Sequence, residues 1–209
     1  NILKAFNDIA KEAKPNDIIV LFFSGHGLTI SEDFYYMTST AGNVDLNQRK
    51  DKRIETCVSS MEINEALKSI KSNKQILILD ACHSGEIAKL LEKDKAMSTT
   101  QEKALESLED KTGVYILASS EAEQKSFEAD ALTHGLLTFS LLRGMSGEAT
   151  EGDIIDVVDL LSYASKEAEK IGKQELGKSQ RPVLGISKGG SSFPIGFKNE
   201  KVSIPSLRK

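Results

Sequence analysis

The chain has 209 residues, 39% of them hydrophobic and 28% charged, with a net charge of −4. That composition suits one soluble α/β domain with a sizeable core and offers nucleic acid no basic surface. No apolar run approaches the roughly 20 residues of a membrane helix, so no membrane partner is expected.

Ile2, Leu3, Phe6, Ile9, Ala10 and Ala13 recur at helical spacing, which predicts an amphipathic helix over 2–13, closed by Lys14-Pro15-Asn16. Asp17-Ile18-Ile19-Val20-Leu21-Phe22-Phe23 then reads as a buried strand that ends in Ser24-Gly25-His26-Gly27. Phe34-Tyr35-Tyr36-Met37 predicts a short strand or hairpin arm, and the polar stretch 39–56 a surface loop. Ser60 is placed to cap a helix with Ile63, Ala66, Leu67 and Ile70 on one face, broken at Ser72-Asn73.

Ile76-Leu77-Ile78-Leu79 is a second buried strand; it stops at Asp80 and is followed at once by Ala81-Cys82-His83-Ser84-Gly85. A helix continues from Glu86 to Leu91, and the charged stretch 92–112 reads as an exposed linker. Strand Val114-Tyr115-Ile116-Leu117-Ala118 follows, then a polar loop over 119–128 and a helix buried through Leu132, Leu136, Leu137, Phe139 and Leu141. Gly144–Gly152 is expected as a loop, Asp153 as the start of another helix, 182–186 as a late strand and the remainder as irregular. The domain is expected to span 1–197, divided into 1–91, the linker 92–112 and 113–197, with 198–209 as a tail.

A thiol just past a buried strand and just before a helix N-terminus suits nucleophilic chemistry, because backbone N–H groups and positive potential favour thiolate. The competing reading of Cys82 is a buried structural cysteine. His26 also follows a strand run directly. If the two strands are parallel neighbours, His26 and Cys82 emerge on one edge of the sheet, where sites of open α/β folds gather. Together they make a Cys/His dyad the better reading. The two cysteines, Cys57 and Cys82, give no disulfide framework and fit a reducing, cytoplasmic setting. The three histidines and two cysteines show no zinc-ligand spacing, so no metal or cofactor is expected. Residue 1 is Asn, so the chain reads as an excerpt or processed product, and absent targeting signals carry no weight.

A strand ending in Ser-Gly-His-Gly, followed by a strand ending in Asp-Ala-Cys-His-Ser-Gly, resembles the caspase-like cysteine peptidases over nearly the whole chain. Animal caspases carry Gln-Ala-Cys-Xaa-Gly with a histidine about 50 residues upstream; Asp80 and His83-Ser84 depart from that toward the metacaspase and bacterial orthocaspase branch. The resemblance implies a caspase-hemoglobinase-type three-layer α/β sandwich, a mostly parallel sheet with helices on both faces, its first strand missing from this chain. It implies Cys82 as nucleophile, His26 as general base and acid, and the backbone N–H groups of Gly27 and Cys82 as an oxyanion hole. His83, one residue on, should project to the other side of the turn and is not assigned.

Metacaspase-like enzymes cleave after Arg or Lys through acidic residues in the primary specificity pocket. By resemblance Asp80, Ser24, Ser126 and Glu128 line that pocket, and Phe127 contacts the adjoining subsite. Self-processing in the linker is expected, with Lys93, Lys95, Lys103 and Lys111 as candidate sites and the loop around Arg49, Lys50 and Arg53 as second choice. Partners are protein or peptide substrates and an activating partner or regulatory domain outside this chain. Calcium dependence is not supported: the family's adjacent aspartate pair does not occur, and Lys89 stands where it has a third aspartate. The alternatives are a caspase-like peptidase of different specificity, to which Arg181 could contribute, or a pseudopeptidase scaffold. A cysteine phosphatase would need Arg where Ala88 stands.

Overall fold

The computed structural model describes residues 1–30, 33–41, 55–82, 113–119, 135–175, 177, 182–186 and 191–198. In chain order the elements are α1 (Ile2–Glu12), β1 (Ile18–Ile30), β2 (Asp33–Tyr36), β3 (Val58–Ser59), α2 (Ser60–Ser69), β4 (Lys74–Cys82) and β5 (Val114–Ala118). Then come α3 (Leu136–Arg143), a π-helical turn (Gly144–Glu148), β6 (Ile154–Asp156), α4 (Val157–Glu175), β7 (Val183–Ile186) and β8 (Pro194–Phe197).

Six of the described strands form one sheet in the order β3-β2-β1-β4-β5-β7. β1, β4 and β5 are mutually parallel at its centre, while β2, β3 and β7 run antiparallel to their neighbours at the edges. The runs that read as doubly buried are the central ones. Ile76, Leu77, Ile78 and Leu79 of β4, and all five residues of β5, are buried. Strand alternation sends Leu77, Leu79 and Ile116 to one face, where they pack with Phe6 of α1 and Ile63 and Leu67 of α2. Ile76, Ile78, Tyr115 and Leu117 go to the other, against Leu137 and Leu141 of α3 and Leu160 and Leu161 of α4. Helices therefore cover both faces of a mixed sheet with a parallel centre, a three-layer sandwich.

Several expectations are corrected. β1 is buried on one face only: Ile18, Val20 and Phe22 are 39, 50 and 47% exposed. The helices on that side, α3 and α4, sit over β4 and β5, and among the described side chains none of β1 joins their apolar cluster. The capping residue of α2 is Ser59, not Ser60: its hydroxyl accepts the Glu62 N–H at 3.2 Å, and Glu62 Oε2 accepts the Ser59 N–H at 2.8 Å. The loop expected after Gly144 begins with the π-helical turn, closed by a bidentate pair of Arg143 with Glu148 at 2.9 and 2.8 Å. Ile154–Asp156 pairs as a strand with Pro194–Phe197, so α4 starts at Val157 and the late segment is not wholly irregular.

Candidate active site

β1 and β4 pair in parallel register from Ile18↔Lys74 through His26↔Cys82. His26 and Cys82 thus stand directly opposite each other on adjacent strands, a separation on the order of 5 Å between backbones. The expectation of neighbouring parallel strands holds, but the strands do not stop before the reactive residues. β4 runs through Cys82, and β1 continues past His26, because residues 27–30 take up antiparallel pairing with β2. The physical reason is that β2 supplies a new partner where β4 ends. His26 is exposed and Gly27, beside it, is buried.

Ser24 and Asp80 form the register pair two positions earlier, and alternation puts Ser24 and His26 on the face that carries Asp80. Asp80 is only 4% exposed. Its Oδ2 accepts the backbone N–H of Thr138 at 3.2 Å and, at shorter range, the Thr138 hydroxyl. Thr138 is the third residue of α3, whose N-cap, Gly135, has no side chain to cap with. Asp80 supplies the missing carboxylate from another strand, where the helix N-terminus favours negative charge. A Cβ on Gly135 would lie 2.6 Å from Asp80 Oδ2, so a larger residue there would displace the carboxylate.

The sequence reading missed Thr138 and Ser119. Ser119 is buried just past β5, and its N–H donates to the Leu79 carbonyl at 2.9 Å. Both act across long sequence separations, and neither lies in a motif. Ser126, Phe127, Glu128, His83, Lys93, Lys95, Lys103 and Lys111 lie outside the described residues, as do Arg49, Lys50, Arg53, Lys89 and Arg181. Among the described residues, no group of three His, Cys, Asp or Glu converges to hold a metal ion. No described helix is long and apolar enough to cross a membrane.

Two parallel strands thus bring a histidine and a cysteine side by side at one end of a helix-covered sheet. The family model of the caspase domain matches residues 1–188, and the chain belongs to that family of cysteine peptidases. A search of curated proteins finds no match.

Proposed function

We propose that the chain is a cysteine endopeptidase working through a Cys82/His26 dyad and cleaving after Arg or Lys. The observation that carries the reading is the His26↔Cys82 register pair, together with membership of the caspase-domain family. Cys82 sulfur attacks the scissile carbonyl carbon as thiolate, and the N–H groups of Gly27 and Cys82 receive the developing oxyanion. Imidazolium at His26 gives its proton to the leaving amine. Water, deprotonated by His26, then attacks the thioester, releases the acid and restores the thiol.

For the substrate cation, Asp80 and Ser24 stand in register beside the dyad. Both hydrogen bonds from Thr138 fall on Asp80 Oδ2, and Oδ1 receives the guanidinium or ammonium. Ser126 and Glu128 complete the pocket and Phe127 the adjoining subsite. The Asp-Ala-Cys-His-Ser-Gly sequence supports the metacaspase and orthocaspase branch. A fluorogenic peptide panel differing only before the scissile bond tests the specificity. Turnover after Arg and Lys is expected; turnover after Asp alone would contradict it.

Self-processing in 92–112 is the second part of the proposal, at Lys93, Lys95, Lys103 or Lys111. Wild type incubated beside Cys82→Ala should show new termini after one of these lysines, absent in the variant. Identical intact masses with an active wild type would rule it out.

A further inference from the structure

We propose that Tyr36 is a positioning residue for His26, acting through the backbone of Ser24 and Gly25; the inference rests on the dyad reading. β1 changes partner around the histidine. Its pairing with β2 begins only at Gly27, so at Ser24 no described strand borders β1 on the side away from β4. The Tyr36 hydroxyl takes that place and donates to the Ser24 carbonyl at 2.7 Å. The next residue, Met37, donates its N–H to the His26 carbonyl at 2.9 Å. Ser24 and His26 are two apart on a strand, so both carbonyls face the same edge, and two consecutive residues hold them.

Gly25 lies between the two carbonyls with φ 152, and a Cβ there would come within 3.0 Å of the Tyr36 hydroxyl oxygen. Glycine thus makes room for the phenol. The ring is seated by the core: it meets Phe23 edge-on at 5.0 Å, and Phe23 stacks on Phe6 at 6.2 Å. Burial pushes the phenol above its ordinary value of 10, so it stays a donor at neutral pH. The His26 side chain itself is exposed, so its placement depends on the strand beneath it.

Tyr36→Phe keeps the ring and removes only the donor. The expected result is a kcat lowered about three- to tenfold, the range for a lost neutral hydrogen bond, with KM within about twofold and melting lowered by only a few degrees. An activity-independent readout is the rate of Cys82 alkylation by iodoacetamide against pH, resolved by peptide mass spectrometry. His26→Ala should depress the rate near neutral pH, and Tyr36→Phe should depress it part of the way, with all variants converging at high pH. Wild-type kcat and wild-type alkylation in Tyr36→Phe would overturn the proposal. A wild type that turns over no peptide, yet shows the alkylation differences, would instead remove the peptidase reading and keep the positioning role.

Discussion

Asp80 and Thr138 join the nucleophile strand to α3: one carboxylate oxygen accepts both the N–H and the hydroxyl of Thr138. The contact spans 58 residues of sequence. It places a helix-capping carboxylate two positions before Cys82 and ties β4 to the first turn of α3.

The two roles given to Asp80 separate by substitution. Asp80→Ala should cost about 1–2 kcal/mol of stability, as for a lost N-cap, and Thr138→Ala somewhat less. Gly135→Ala should also destabilise, because its methyl would enter the space of Oδ2. Asp80→Asn keeps an acceptor for Thr138 but loses the charge. It should fold nearly normally while turnover after Arg and Lys falls roughly ten- to a hundredfold. Denaturant unfolding beside the peptide panel checks both, and unchanged turnover in Asp80→Asn would take Asp80 out of the primary pocket.

Glu148 gives a pH-dependent stability. Burial alone would raise its carboxyl, but hydrogen bonds from Tyr163 and Arg143 and the charges of Arg143 and Lys170 outweigh it and hold it below 4.5. For Tyr163 the shift is upward, from burial first and then from its hydrogen bond to Glu148. A carboxyl with a depressed folded-state value adds stability that is fully present above its unfolded value and lost as pH falls through the folded one. Glu148→Gln should therefore be less stable than wild type at pH 7 by about 1–3 kcal/mol, and the gap should narrow as pH falls below the ordinary carboxyl range and through the depressed folded-state value. Parallel curves for the two proteins between pH 7 and 3 would contradict this.

The one-sided burial of β1 is checked by truncation. Leu117→Ala, in the fully buried centre of β5, should cost about 2–5 kcal/mol. Phe22→Ala should cost much less, since its ring is nearly half exposed. Comparable losses at the two positions would mean that β1 is covered on that face.

What could be read from the sequence was local and continuous. Val114–Ala118 is buried at every position and stands after Gly113, so its strand was legible to the residue. Ile76–Leu79 was legible for the same reason, and the pairing of His26 with Cys82 on adjacent strands followed because both apolar runs lead toward these residues. What escaped depends on partners far along the chain. The exposure of Val20 and Phe22 is set by where α3 and α4 dock, not by the composition of β1. Ile154–Asp156 is too short to declare itself a strand without Pro194–Phe197. Tyr36 reads as one aromatic in a hairpin arm until its hydroxyl is placed on the Ser24 carbonyl.

The dyad is tested most directly by covalent trapping with a peptidyl acyloxymethyl ketone ending in Arg, followed by peptide mass spectrometry. Wild type is expected to carry one adduct, on Cys82, and Cys82→Ala none. His26→Ala should label at least about a hundredfold more slowly while melting like wild type, the scale of a lost general acid–base group. An adduct on Cys57 in place of Cys82, or labelling of Cys82 at the wild-type rate in His26→Ala, would contradict the assignment of the paired strand residues as the catalytic dyad.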